Sequence, residues 1–288
     1  MSNFDPLSAD LLRGRTALIT GGGTGLGLSM GRRFAELGAD VVICGRRAAV
    51  LREAVEAITV AAPARSVWSE VCDVRDPVAV SEMMSRIWQR RGLDILVNNA
   101  AASFIAQTHM LSHRAVDAVL GVTLHGALYC TIEAGRRWIE AKTPGVVLSI
   151  LSTSTVTGRA FTTPSAMAKS GLLAMTRSLA VEWGPRKIRL VAIAPGPFPT
   201  PGARAQLNPA SRQNKLTEVP LGRIGQHQEL ANLAAFLVSD GADFMTGEMV
   251  FLDGGLHLRT SGADDLLGWT DEQWAAHRAS LEGRNNGS

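Results

Sequence analysis

Seven short runs of aliphatic and β-branched residues alternate along the chain with longer stretches in which apolar residues recur at helical spacing. The predicted strands cover residues 16–20, 40–44, 66–71, 94–97, 145–150, 188–193 and 249–252. Before the last strand, one helix face carries Leu230, Leu233, Ala234 and Leu237, a spacing typical of a helix that packs on a sheet. Strands that alternate with helices form parallel sheets. The pattern therefore predicts an α/β fold with a doubly wound, seven-stranded parallel sheet and helices on both faces.

The same pattern indicates a single domain over residues 1–288, with a core at 12–255. Five prolines between Pro195 and Pro209 exclude a regular helix at the start of the 195–223 segment, which follows a strand and is predicted to be a substrate loop. The tail at 256–288 contains Thr270 and Gln273 at the spacing of a capping box, so we expect a short helix there.

Composition narrows the possible partners. The chain has 46% hydrophobic residues, enough for a large core, and its 29 basic and 26 acidic residues are interspersed rather than grouped. We therefore expect no nucleic-acid partner and no membrane span. Three cysteines, Cys44, Cys72 and Cys130, lack metal-ligand spacing and lie in apolar runs. This favours reduced core thiols, no metal site and a cytoplasmic location.

A glycine-rich loop follows the first predicted strand and leads directly into a helix. The loop consists of Gly21, Gly22, Gly23, Thr24, Gly25, Leu26 and Gly27. Glycines let backbone amides approach a pyrophosphate closely, and the helix N-terminus adds partial positive charge. Strand, loop and helix in this order predict a dinucleotide site in a Rossmann-type fold.

The end of the second strand indicates which dinucleotide binds. An acidic residue often bonds the adenosine ribose at this point, but the sequence here is Gly45-Arg46-Arg47. Arginine pairs well with a phosphate, so Arg46 predicts NADP(H) in preference to NAD(H). The alternative is that an arginine merely begins the next helix, and this applies more to Arg47.

Three further motifs follow later strands. They are Asp73 after the third, Asn98-Asn99-Ala100 after the fourth and Pro195-Gly196-Pro197 after the sixth. Together with the glycine loop, they resemble the short-chain dehydrogenase/reductase family over residues 13–255. The resemblance implies a nicotinamide cofactor and a dimer or tetramer, with a homotetramer expected, built on helices near 120–140 and 164–183.

The resemblance also implies how these residues would hold the cofactor. Asp73 and Val74 would contact the adenine, and Asn99 and Ala100 would shape the nicotinamide side. Lys169 would bond the nicotinamide ribose. The nicotinamide would be covered by Pro195, Gly196, Pro197 and Phe198.

The catalytic positions depart from the usual pattern of that family, an Asn-Ser-Tyr-Lys tetrad. Ser152 and Lys169 stand at the serine and lysine positions, but Ser165 replaces the tyrosine and Thr123 replaces the asparagine. The only tyrosine in the chain is Tyr129, which lies too early and is expected in the core or at a subunit interface.

A narrower resemblance accounts for the serine at position 165. The sequences PSAMAKSG at 164–171, SLAVEWG at 178–184 and WTDEQW at 269–274 are similar to those of 2,4-dienoyl-CoA reductases. This implies reduction of a conjugated dienoyl thioester of the acyl-CoA type by NADPH. The tyrosine and asparagine that assist such enzymes from other positions correspond here to Ser154 and Ser103.

Thioester reduction can tolerate the loss of the tyrosine. Hydride addition at the δ carbon spreads charge through a dienolate to the thioester oxygen, where hydrogen-bond donors suffice. We expect Lys169 to fix the cofactor, Ser165 to orient Lys169 or substrate, and Ser103, Ser152 or Ser154 to bind the oxygen, with water as the final proton source. Ser154 is the serine most expected to bond nearby backbone instead.

Other assignments rest on weaker matches. The resemblance places Phe104 and Ser112 near the substrate chain, and Arg204 and Lys215 could meet CoA phosphates. Two other functions stay open: a carbonyl reductase or alcohol dehydrogenase of the same fold, which the missing tyrosine disfavours, and a cofactor-binding sensor or scaffold that has lost catalysis.

Overall fold

The predicted strands all belong to one parallel sheet. The computed structural model describes residues 7–200, 219–259, 266 and 268–285. The sheet order is β3-β2-β1-β4-β5-β6-β7, which confirms the predicted fold class. The strands are β1 (Thr16–Thr20), β2 (Asp40–Gly45), β3 (Val67–Val71), β4 (Ile95–Asn98), β5 (Gly145–Ile150), β6 (Ile188–Pro195) and β7 (Met249–Leu252).

Helices cover both faces of this sheet. In the described residues they are α1 (Gly25–Glu36), α2 (Ala48–Ala61), α3 (Pro77–Arg90), α4 (His113–Leu120), α5 (Gly126–Ala141), α6 (Ser154–Thr157), α7 (Thr163–Trp183), α8 (His227–Val238) and α9 (Asp271–Asn285). The predicted apolar face of α8 is buried or packed against the core through Leu230, Leu233, Ala234 and Leu237, which confirms that prediction.

Two hydrophobic layers sandwich the sheet. One is centred on Phe34 and Met30 of α1, and the other on Trp138 of α5 and Met83 of α3, all buried. Residues of β1 and β2 are buried on both faces, as continuous apolar runs require in a parallel sheet. The chain reverses its winding between β1 and β4, and ligands of such sheets bind at the carboxyl ends of the strands there.

Helices α4 and α5 run on as one helix, His113–Ala141, through a wide turn at Gly121–His125. Among the described residues, this is the one helix whose length and apolar composition would suit a membrane crossing. Its inner face carries Cys130, Ala134 and Trp138 against the sheet. The apolar composition of that face is therefore accounted for by packing on the sheet.

The tail helix α9 begins with the predicted capping box. The Thr270 amide donates to Gln273 Oε1 (2.8 Å), and the Gln273 amide donates to Thr270 Oγ1 (3.3 Å). The rings of Trp269 and Trp274 lie on either side of this cap with centroids 4.9 Å apart. A hydrophobic pair that spans a helix cap fixes the direction in which the chain enters the helix.

Candidate active site

The glycine loop turns sharply between β1 and α1. Gly21 and Gly25 have φ angles of +66° and +56°, in the left-handed region that glycine adopts without steric cost. A Cβ at Gly27 would lie 2.5 Å from the Gly21 carbonyl oxygen. The loop can close this tightly only with glycine at position 27. The closed loop directs the N-terminus of α1 at the space above the sheet.

Asn99 holds the glycine loop closed from the neighbouring strand. Its Nδ2 donates to the carbonyl oxygens of Thr20 (2.9 Å) and Gly21 (3.2 Å). The Thr20 hydroxyl accepts from the amides of Asn99 and Ala100, each at 3.0 Å, and donates to Val97 O (3.2 Å). The end of β4 and the glycine loop therefore form one rigid unit.

A cleft of about 370 Å³ opens above this unit. The predicted cofactor residues that line it are Gly21, Gly23, Thr24, Gly25, Leu26, Gly27, Arg46, Asp73, Val74, Asn99 and Ala100. The lining residues that sequence reasoning missed are Cys44, Gly45, Val50, Leu51, Cys72, Ala101, Val122 and Thr200. A glycine-lined floor at a helix N-terminus, bordered by arginine, fits a dinucleotide.

Gly22 is the exception among the loop glycines. A Cβ there would lie 2.5 Å from Ile43, so Gly22 is behind the cleft lining and is needed for the packing of the loop on β2.

The thiol of Cys72 lies at the cleft, and burial raises its pKa to about 11. It therefore stays a neutral thiol and adds an apolar patch to the cleft.

Positive charge borders the far end of the cleft. Arg46 and Arg47 are exposed and line the cleft. Asp73 accepts from Arg75 through both carboxylate oxygens, at 3.0 Å from Nε and 2.6 Å from Nη2. This hydrogen bonding by Arg75 holds the pKa of Asp73 below its usual value. The Arg75 pairing was not foreseen, and it keeps Asp73 ionised beside the predicted adenine position.

Lys169 is buried beside the carboxyl end of β5. It lies on α7, and its Nζ donates to the Ile150 carbonyl oxygen at 2.5 Å. Burial lowers the pKa of Lys169 from 10.5 to about 8. Ser165 is one helical turn earlier on the same helix and is half-buried. The predicted Ser-x-x-x-Lys pair therefore sits on one face of α7, where a buried ammonium group meets the end of the sheet.

Two hydroxyl groups follow directly after β5. Ser152 Oγ and Ser154 Oγ are 2.5 Å apart, and the Ser154 amide donates to Ser152 Oγ (3.2 Å). Ser154 is buried. The expectation that the Ser154 hydroxyl would bond nearby backbone is therefore wrong, because the start of α6 turns it toward Ser152. The two serines form a hydroxyl pair.

The asparagine position is filled by a threonine whose hydroxyl is already hydrogen-bonded to the backbone. Thr123 lies in the turn between α4 and α5, where its Oγ1 accepts from the Ala102 amide (3.0 Å) and donates to Ala102 O (3.3 Å). Tyr129 is half-buried and packs against the core cluster, as the core alternative expects, and the subunit-interface alternative stays a prediction. Thr123 has no phenol and Tyr129 packs against the core, so neither supplies the phenolic acid of the usual tetrad.

Ser103, predicted to bind the thioester oxygen, and the predicted substrate residues Phe104 and Ser112 follow β4. Ser103 is exposed and Phe104 is half-buried. Ser112 Oγ accepts from the Ala115 amide at 3.2 Å and so caps α4, which is a structural use of that hydroxyl. Arg204 and Lys215 lie outside the described residues. Within those residues, no group of three or more His, Cys, Asp or Glu side chains could hold a metal ion.

The segment after β6 runs across the end of β7. The Gly196 amide donates to Leu252 O (3.0 Å), and a Cβ at Gly196 would lie 2.6 Å from Asp253 Cβ. Phe198 is buried in the core, where its ring leaves room only for a glycine at 225. The Phe198 ring packs inward beside α8, and the cover of the nicotinamide by residues 195–198 stays a prediction.

The fold and the site together define an oxidoreductase that uses a nicotinamide dinucleotide. A family model described as enoyl-(acyl carrier protein) reductase matches residues 21–257. The chain belongs to the short-chain dehydrogenase/reductase family.

Relatives with assigned activities are similar over most of their length. A probable 2,4-dienoyl-CoA reductase 3 of Caenorhabditis elegans, named as (3E)-enoyl-CoA-producing, is 38% identical over 95% of this chain and 91% of that protein. A probable 2,4-dienoyl-CoA reductase of Bacillus subtilis, named as (2E)-enoyl-CoA-producing, is 38% identical over 85% of this chain and 97% of that protein. The structure of an Agrobacterium tumefaciens protein assigned as a 2-deoxy-D-gluconate 3-dehydrogenase, with bound NADP, covers 88% of this chain and all of that one at 31% identity and a TM-score of 0.81.

Proposed function

We propose that this protein is an NADPH-dependent reductase of conjugated 2,4-dienoyl thioesters, with a fatty acyl-CoA as substrate. The observation that carries the proposal is the set of side chains at the carboxyl end of β5. Lys169 is buried there with its Nζ on the Ile150 carbonyl oxygen, the Ser152–Ser154 hydroxyl pair follows directly along the chain, and Ser165 stands in place of the tyrosine acid. The similarity to two dienoyl-CoA reductases supports the same conclusion.

This set of side chains suits reduction of a carbon–carbon bond better than reduction of a ketone. A ketone becomes a strongly basic alkoxide as hydride arrives, so an acid must be within reach. A dienoyl thioester becomes a delocalised dienolate, which hydrogen-bond donors and a nearby positive charge stabilise without immediate proton transfer. Ser152, Ser154 and the Lys169 ammonium group provide donors and charge of this kind.

Each group has a separate task in the proposed reaction. The bound nicotinamide would supply the hydride. The loop at Gly21–Gly27 would hold the pyrophosphate, and Lys169 would hold the ribose. The Ser152–Ser154 hydroxyl pair would donate to the thioester oxygen. Because a serine hydroxyl is a poor acid at neutral pH, water would deliver the proton to the α carbon.

The product follows from these positions of attack. Hydride at the δ carbon and a proton at the α carbon leave the remaining double bond between carbons 3 and 4. We therefore propose a 3-enoyl thioester as the product, in agreement with the (3E)-enoyl-CoA in the name of the C. elegans relative and in contrast to the (2E)-enoyl-CoA in the name of the B. subtilis relative.

The assay combines NADPH with a 2,4-dienoyl-CoA and follows the nicotinamide absorbance. We expect turnover by the wild-type protein and a loss on the order of 10²–10³ in rate for Lys169→Met, as for removal of one preorganised donor. Lys142→Met is the matched control, because Lys142 is exposed and lies just after the C-terminus of α5. Tight NADPH binding without turnover of any dienoyl or enoyl thioester would instead indicate the sensor or scaffold function.

The choice of NADPH rests on Arg46. We expect Arg46→Ala to weaken NADPH binding by about 10- to 100-fold, which corresponds to one charge-assisted hydrogen bond, and to leave NADH binding nearly unchanged. Arg52→Ala is the control, since Arg52 is exposed on α2 and absent from the cleft lining. Fluorescence titration of wild type and both variants with each cofactor gives the six dissociation constants. Equal losses for NADPH and NADH would show that Arg46 does not contact the 2′-phosphate.

A further inference from the structure

Four large apolar side chains are exposed on the segments that follow β4 and β5. Their exposed fractions are 43% for Ile105, 71% for Met110, 55% for Val156 and 55% for Phe161. Apolar side chains of this size gain free energy when they leave water. A group of them around a site therefore indicates an apolar ligand or partner. We call these four residues the apolar lip.

Hydrogen bonds join the segments that carry the lip. The Ala106 amide donates to the Phe161 carbonyl oxygen at 3.0 Å, which places Ile105 and Phe161 on adjoining backbone. Thr108 Oγ1 and Thr163 Oγ1 are 2.9 Å apart, so the turn that carries Met110 is tied to the start of α7. The segments that carry Ile105, Met110 and Phe161 are thus tied together and do not form separate loops.

The lip adjoins the Ser152–Ser154 pair and Ser165 along the chain. Val156 is on α6, two residues after Ser154, and Ser170 Oγ fixes α6 to α7 by donating to Thr155 O at 3.0 Å. Phe161 precedes Ser165 by four residues and lies just before the start of α7. An extended ligand whose reacting end lies at the Ser152–Ser154 pair would therefore continue onto the lip.

The backbone at Phe161 is a second, independent observation. Phe161 has a φ of +64°, in the left-handed region that is an outlier for a bulky side chain. Glycine would adopt this conformation without strain, as Gly158 does nearby with a φ of +68°. Strain of this kind persists where the surroundings impose it and is concentrated at ligand-binding positions. Here it presents an aromatic ring to the outside of the molecule.

We propose that the apolar lip binds the acyl chain of the substrate and that Phe161 sets the preference for chain length. The inference rests on the proposed function, since it names the part of the thioester that reaches beyond the reacting carbons. A flexible aliphatic chain has no polar groups that need hydrogen bonds. Contact with aliphatic and aromatic side chains removes it from water. Longer acyl chains would therefore bind more tightly until the lip is covered.

The experiment compares 2,4-dienoyl-CoA substrates with chains of 6, 10 and 14 carbons. Each buried methylene contributes up to about a fourfold gain in affinity, so we expect KM of the wild-type protein to fall by an order of magnitude or more from the shortest chain to the longest. Phe161→Ala should remove most of this gain. The rise in KM should be largest for the fourteen-carbon substrate and smallest for the six-carbon substrate, a pattern that a general loss of folded protein would not produce.

Two matched variants separate binding from folding. Phe161→Gly removes the ring and also relieves the backbone strain, so it should lose the chain-length preference while unfolding no more easily than wild type. Phe244→Ala removes a fully exposed phenylalanine before β7, and it should keep the preference. Equal behaviour of Phe161→Ala and Phe244→Ala would overturn the proposal.

A binding measurement keeps this inference distinct from the proposed function. Calorimetry with saturated hexanoyl-, decanoyl- and tetradecanoyl-CoA needs no turnover. Suppose that no dienoyl thioester reacts, that wild-type affinity still rises with chain length, and that Phe161→Ala abolishes the rise. The proposed reductase function would then be wrong, and the proposal that the apolar lip binds acyl chains would be supported. If wild-type affinity is independent of chain length, the lip proposal is wrong. Dissociation of an oligomer in Phe161→Ala, seen by sedimentation, would assign the lip to a second copy of this chain and also overturn the proposal.

Discussion

Lys169 connects the charge of the site to the stability of the whole protein. Its pKa is lowered from 10.5 to about 8 by burial, so the folded state disfavours the ammonium form. At pH 7 the lysine is charged in the folded and unfolded states, and the full cost of burying the charge, about 3 kcal/mol, is present. Above pH 8 the folded protein loses this proton, while the unfolded chain keeps it up to 10.5.

We therefore predict that the contribution of Lys169 to the free energy of unfolding rises by about 3 kcal/mol between pH 8 and pH 10.5, because the unfolded state binds the extra proton there. Lys169→Met should be more stable than wild type at pH 7 and lose this advantage at high pH. Urea unfolding of the cofactor-free protein at pH 7 and pH 10 measures the difference. A gap between wild type and variant that is the same at both pH values would contradict the prediction.

Among single residues, sequence reasoning succeeded where the position along the chain determines the location. The loop glycines and Asn99 follow strands, so they reach one edge of the sheet. Lys169 follows Ser165 by one turn and shares its helix face. Contacts that depend on side-chain rotation could not be foreseen. The Ser152–Ser154 hydroxyl pair and the pairing of Asp73 with Arg75 are of this kind.

At the scale of elements, the predicted strands are right in number and order, and the ends of four of the seven shift by one or two residues. Asp94 was predicted to begin the fourth strand, but its carboxylate accepts from the Thr16 amide at 2.8 Å, and β4 begins at Ile95. β6 continues to Pro195 because Pro195 still aligns with Leu252 of β7. Apolar runs therefore locate strand interiors, whereas polar contacts decide where strands end.

The packing of α1 on the glycine loop gives a prediction for this element. Gly27→Ala would place a methyl group 2.5 Å from Gly21 O and 2.6 Å from Asn99 Nδ2. Relief of this overlap would open the loop, at a cost of roughly 1–3 kcal/mol. We expect NADPH affinity to fall by about tenfold or more, measured by fluorescence titration, while the circular dichroism spectrum is retained.

Gly184→Ala is the control for that substitution. Nothing lies within 4 Å of a Cβ at Gly184, and its backbone is in the right-handed helical region. Alanine should therefore leave cofactor binding unchanged at Gly184. A Gly27→Ala protein that binds NADPH like the control would show that the loop accommodates the methyl group.

For the molecule as a whole, the order of strands determines where the site forms. The carboxyl ends of β1, β4 and β5 meet where the winding reverses, and they bring the glycine loop, Asn99 and the Ser152–Ser154 pair to one edge. The alternation of strands and helices was sufficient to predict this arrangement. The inward packing of Phe198 could not be predicted in this way, because it depends on the space left by Gly225. The homotetramer and the cytoplasmic location stay predictions.

The bond between Lys169 and Ile150 also bears on cofactor affinity. A lysine side chain that becomes fixed loses up to about 2 kcal/mol of rotational entropy. Here that loss occurs during folding, because the Ile150 carbonyl already holds the ammonium group at the edge of β5. In the proposed binding mode an arriving cofactor would meet a preorganised partner and would not have to immobilise it. Part of the affinity for the cofactor would then be supplied by the stability of the fold.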